Sequence, residues 1–134
     1  VLADYSCNLS PSGWAKRVVR AYDEWNADRV VAEVNFGGAM VKAVIKAADP
    51  NIPVKEIRAN AGRGKVVRAE PISALYDEGK VHHAGSLPDL EDQMCAMTTK
   101  GFIGEGSPDR ADALVWAITE LSAKTRKEPG VRSL

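Results

Sequence analysis

The segment Ser107-Pro108-Asp109-Arg110-Ala111-Asp112-Ala113-Leu114-Val115-Trp116 sets two carboxylates three residues apart at the start of an apolar helix. A second segment, Val30-Val31-Ala32-Glu33-Val34-Asn35, carries a single carboxylate in a β-branched run that reads as a strand covered on both faces. Acids at a strand end and on a late helix can converge on a divalent cation. Oxygen ligands of this kind suit Mg²⁺ or Mn²⁺. Two such ions can clamp the attacking and leaving oxygens of a phosphodiester. The chemistry indicated is phosphodiester cleavage, with Glu33, Asp109 and Asp112 as the candidate catalytic and metal-binding residues.

Each acid also has a plainer explanation. A carboxylate in a buried strand is costly unless paired, protonated or metal-bound. Glu33 near the carboxyl end of its strand lies where ligand sites gather in open α/β sheets; it could equally face solvent or pair with an Arg. Asp109 and Asp112 fall on neighbouring positions of one helix face. Acids favour helix N-termini by roughly 0.3–1 kcal/mol through the dipole alone, which accounts well for Asp109. It accounts less well for Asp112, whose neighbours Ala111, Ala113, Leu114 and Val115 imply close packing.

Between Lys55 and Glu70 lie five cations, Lys55, Arg58, Arg63, Lys65 and Arg68, opposed only by Glu56 and Glu70. Gly62 and Gly64 would let backbone approach a phosphate closely. Arg58, Arg63, Lys65 and Arg68 are therefore candidates for DNA-backbone contact, set against an ordinary solvated loop. His82 and His83, if adjacent in a strand, point to opposite faces and do not share an ion; one should be buried and the other exposed. Either Glu91 or Asp92 could support metal-binding acids from behind, but the pair reads better as a solvated helix start. The Trp residues, at helical spacing, read as core.

The elements that must position these groups alternate. A short strand is expected over residues 1–5, then a helix with Ser10 as N-cap and Pro11 at its first position, ending near Asn26. A strand over 30–34 follows, then a Gly37-Gly38 turn and a helix carrying Met40, Val41, Val44, Ile45 and Ala48 at 3.6-residue spacing. A strand over 54–57, a polar loop over 58–65, a helix over 69–76 and a short strand over 81–84 come next. Residues 87–97 are ambiguous between helix and loop, and the glycine-rich stretch 98–106 reads as mobile. Ser107 caps a last helix to about Lys124. Such alternation implies an α/β sheet with right-handed crossovers.

The 134 residues suit one domain, taken as 1–124 with a polar tail over 125–134. No apolar run approaches the ~20 residues of a membrane helix, so no membrane partner is expected. Formal net charge is zero, so any nucleic-acid site must come from local clustering. Cys7 and Cys95 suggest no disulfide framework and point to a reducing cytoplasm; isolated cysteines are most often small core residues. The chain begins abruptly, within an apparent strand and without Met, and reads as a piece of a larger protein.

Taken together, these segments resemble the C-terminal nuclease domain of phage terminase large subunits, the DNA-packaging motors of tailed bacteriophages and prophages. The resemblance is carried by Pro11-Ser12-Gly13-Trp14, Val31-Ala32-Glu33-Val34-Asn35-Phe36-Gly37-Gly38, Arg68-Ala69-Glu70-Pro71 and Leu75-Tyr76. It continues through Gly79-Lys80-Val81-His82-His83, Leu90-Glu91-Asp92-Gln93-Met94 and the 107–117 segment, in order along nearly the whole chain. It implies a ribonuclease H-like mixed sheet flanked by helices, similar to Holliday-junction resolvases, and Mg²⁺- or Mn²⁺-dependent cleavage of double-stranded DNA in the host bacterial cytoplasm. Glu33 would be the second catalytic acid, and Asp109 or Asp112 the third. The first belongs on a strand expected before Val1, so the sheet should lack its first strands and the chain should bind metal weakly and cut weakly or not at all. An ATPase domain is implied in the full-length protein, with portal and small subunit as further partners; no G-x-x-x-x-G-K-[ST] occurs in these residues. The alternatives are a catalytically silent DNA-binding or docking module and a resolvase-like nuclease acting on branched DNA.

Overall fold

The computed structural model of the chain describes residues 1–34, 39–59 and 64–125. The Gly37-Gly38 turn, Arg63 and the tail beyond 125 lie outside the described residues. Helix α1 (Pro11–Glu24) starts as its sequence dictates: Gly13 N donates to Ser10 Oγ at 3.3 Å, with Pro11 at the first position. It ends at Asn26, whose φ of +46° turns the chain out of the helix. Strand β1 (Val30–Glu33) pairs in parallel with β2 (Val54–Ile57), Val30 opposite Val54 and Glu33 opposite Ile57. Helix α2 (Ala39–Ala48) connects them and packs on α1. Glu33 therefore lies at the carboxyl end of the parallel pair.

Helix α3 (Lys65–Asp77) begins four residues before its expected start, so Lys65 and Arg68 sit on a helix rather than in or just after a loop. Its end is closed by Gly79 at φ +66°, with Gly79 N bonded to Tyr76 O and Lys80 N to Leu75 O. The ambiguous 87–97 stretch resolves into helix α4 (Pro88–Cys95). The glycine-rich stretch that follows is not structureless: β3 (Met97–Thr98) and β4 (Gly101–Phe102) form an antiparallel hairpin. Helix α5 (Asp109–Thr125) closes the fold, with Pro108 just before its first residue.

Two expected strands are not strands. Residues 1–5 and 81–84 meet through Val1, which bonds His82 O and Ala84 N, but no ladder propagates. The reason lies in the side chains, which tie the first segment to α1. Arg17 Nε donates to Tyr5 O at 2.9 Å with its guanidinium above the Tyr5 ring, and Tyr5 OH donates to Glu24. The described sheets are thus two two-stranded pairs, smaller than the mixed sheet expected.

Helix α5 is the hub: it packs against β1, α3 and α4. Its buried Ala111, Leu114, Val115 and Ile118 join Ile72 of α3 and Leu90 of α4 in the main core. The cysteines are not core residues, since both are exposed. Trp25 is also exposed, while Trp116 is half-buried at the β1 side of α5. Among the described residues no helix is long and apolar enough to cross a membrane.

Candidate functional site

Two charged ladders face each other across the α3–α5 contact. Lys65 and Arg68 are three apart on α3; Asp109 and Asp112 are three apart on α5, so each pair occupies one helix face. Lys65 Nζ lies 2.5 Å from Asp109 Oδ1 and 3.6 Å from Asp112 Oδ2. Arg68 Nη2 donates to both Asp112 oxygens, at 2.9 and 3.1 Å. Only the inner rung is dry: the side chains of Asp112 and Arg68 are 4% and 13% exposed, against 77% for Asp109. Asp112 is the one charged residue buried among those described, and a buried carboxylate requires a cationic or hydrogen-bonding partner.

The electrostatics of the outer rung follow from the same contacts. The hydrogen bond from Lys65, then that from the Ser107 hydroxyl, hold the Asp109 carboxyl below the usual aspartate range. Burial opposes the charge on Lys65, but the hydrogen bond to Asp109 and the charges of both acids outweigh it and raise the ammonium above its ordinary value.

Glu33 reaches this corner from β1. Trp116, one turn beyond Asp112 on α5, donates its indole Nε1–H to Glu33 Oε2 at 3.3 Å. The Arg68 guanidinium lies over the Trp116 ring, 5.1 Å from its centroid, within cation–π range. Glu33, Trp116, Arg68, Asp112, Lys65 and Asp109 therefore form one continuous chain of contacts. Arg58 is exposed and follows Ile57, the partner of Glu33, so it leaves the sheet at the same end.

The start of α5 is held by a residue that sequence reasoning passed over. Gln93 of α4 accepts through Oε1 from the amides of Arg110 (3.0 Å) and Ala111 (3.3 Å), two donors with no partner inside the helix. Arg110 in turn pairs with Asp4 at 2.8 Å and Asp89 at 3.2 Å. No local motif announces a cap supplied from another helix. His83 is half-buried and His82 exposed, and neither is in a strand. His83 Nε2 meets Tyr76 OH at 2.8 Å and its Nδ1 meets Glu91 Oε1 at 2.7 Å, so Glu91, though part-exposed, is also a structural tie.

By type, Glu33, Asp112 and Asp109 are hard oxygen donors that fit Mg²⁺ or Mn²⁺. Asp112 also carries the buried negative charge that a cation would balance, a role filled here by Arg68 and Lys65. Among the described residues no set of three acidic, His or Cys side chains comes together around one ion.

The described terminase RNaseH-like domain matches residues 6–121, well over half of the chain. Neither a curated protein nor a solved structure matches it. The fold is α/β and RNase H-like. The chain belongs to the terminase RNaseH-like domain family, and is a nuclease-type domain of a terminase large subunit.

Proposed function

We propose that this chain is the metal-dependent DNA endonuclease domain of a phage or prophage packaging terminase, cutting concatemeric double-stranded viral DNA in the host bacterial cytoplasm. The observation that carries it is the seat of Glu33: it leaves β1 to meet α5 one turn from the buried Asp112. Glu33 and Asp112 hold the Mg²⁺ or Mn²⁺, with Asp109 at the rim. When bound, such ions supply a nucleophilic water at neutral pH and offset charge on the attacking and leaving oxygens. Arg58, Arg63, Lys65 and Arg68 are the residues that contact DNA backbone phosphates, and Arg68 also holds both Asp112 oxygens. The ATPase domain of the same large subunit drives translocation, with portal and small subunit as docking partners.

The test uses the full-length large subunit. Glu33→Ala and Asp112→Ala each abolish cutting of plasmid DNA in Mg²⁺ or Mn²⁺ while ATP hydrolysis persists. Retained cutting in either variant overturns the assignment.

A second reading has one observation in its favour. Asp112 is already charge-balanced by Arg68 and Lys65, as a domain that binds DNA without cutting it would require. A crystal soaked in Mn²⁺ and examined by anomalous scattering separates the two: an ion at Glu33 and Asp112 supports the nuclease, and its exclusion by an unmoved Arg68 supports the silent module.

A further inference from the structure

Most of the polar residues at this corner have an evident use; Trp116 does not. An apolar helix face that needed only bulk would be served by Leu or Phe, neither of which donates a hydrogen bond. The indole Nε1–H is a donor with no acceptor capacity, and here it points at a carboxylate from another element, 83 positions away in sequence. The face of the same ring carries Arg68, whose Nη2 takes both oxygens of Asp112. One side chain thus meets Glu33 with its edge and the partner of Asp112 with its face. Trp116 is anchored on α5 itself, four residues from Asp112, so it stands on the same side of that helix.

We propose that Trp116 is a positioning residue that fixes Glu33 relative to Asp112, through its indole N–H to Glu33 and through the Arg68 it seats above its ring. The inference rests on the reading that Glu33 and Asp112 hold the cation, and it assigns the preorganisation of that pair to one ring. Side chains that orient metal-binding carboxylates commonly affect metal affinity by 10–100-fold when removed. Trp116→Phe keeps the ring face and loses the donor, so it releases Glu33 alone. Trp116→Leu loses both, so it also unseats Arg68.

The chain has three Trp, and their indole N–H signals in a ¹⁵N-labelled sample report on each separately. Trp116→Phe identifies the Trp116 signal. Trp25, whose indole donates to Tyr5 OH at 3.1 Å, serves as the internal control for folding. Without metal, Glu33→Ala should shift the Trp116 signal and leave that of Trp25 in place; an unmoved Trp116 signal overturns the proposal. Mn²⁺ binding followed by electron paramagnetic resonance should weaken roughly tenfold in Trp116→Phe. Equal affinity in wild type and Trp116→Phe, with Asp112→Ala binding far more weakly, removes the positioning role and leaves the metal site standing. Equal affinity in wild type and Asp112→Ala instead removes the metal site, and the positioning role with it.

Discussion

Two corners of this molecule are built from short chains of polar side chains, and they are built for different ends. At one, Tyr76, His83 and Glu91 join the end of α3 to the start of α4. Glu91 also accepts the Leu87 amide at 3.2 Å, and hydrogen bonding from His83 and that amide holds its carboxyl low. Burial, then the charge of Glu91, raises the Tyr76 hydroxyl above its ordinary value. The Glu91 side chain is part-exposed there, so no buried charge has to be balanced. At the other corner, Asp112 is buried, its counter-charges come from a different helix, and Glu33 of β1 is linked to it through Trp116 and Arg68. The first arrangement ties two helix ends together. The second concentrates carboxylates and cations at one place, which no tie requires. The difference teaches that hydrogen-bond continuity does not distinguish a candidate site from a staple; a buried charge balanced from another element does.

The sharpest way to break that contrast is to remove the neutraliser. Arg68→Met leaves Asp112 buried with only Lys65 at 3.6 Å, and should cost about 3 kcal/mol of stability, as uncompensated buried charges do. The double variant Arg68→Met with Asp112→Leu should recover most of that loss, because a well-packed apolar pair replaces a buried ion pair at little cost. Urea denaturation of the two variants checks this. If the double variant is no more stable than Arg68→Met, the pair is not isolated in the way the geometry indicates.

That inner pair was half legible in the sequence. The Ala and Leu neighbours of Asp112 announced its burial, and its spacing from Asp109 announced a shared face. Its partner was not announced, because Arg68 lay just past an expected loop. Gly64 offers no side chain to cap α3, so no local cap marks its start at Lys65. Ser10-Pro11 and the 54–57 strand, which depend on local signals alone, fell where expected. Contacts across the fold had no such signal. Trp116 occupies an apolar helical stripe and reads as core, and Gln93 caps a helix whose start the Ser107-Pro108 pair already explains. The cysteines misled for the converse reason: composition favours burial, but Cys95 closes α4 on its exposed face.

The staple predicts a smaller and purely structural effect. His83→Phe fills the space but drops the bonds to Tyr76 and Glu91, and should cost about 1 kcal/mol. It should leave Mn²⁺ binding and, in the full-length subunit, cutting at wild-type levels. A His83 variant of intact fold that loses metal binding would erase the distinction between the two corners.

The smallest effect belongs to the exposed rung. Asp109→Asn removes the Lys65 contact and a first-turn acid, together about 0.5 kcal/mol at low salt and less at high salt. Its pH dependence carries a sign. The Asp109 carboxyl is held low by Lys65 and Ser107, so its contribution is complete above the ordinary aspartate value of about 3.9 and disappears as pH falls through the depressed one. Lys65 is raised, so its share is complete below about 10.4 and disappears only as pH climbs through the raised value. Between about pH 5 and 9 the stability gap between wild type and Asp109→Asn should therefore be flat, closing at the acid end. A gap that narrows near neutrality instead would mean that Asp109 is held by something other than Lys65, and the outer rung would no longer belong with the inner one.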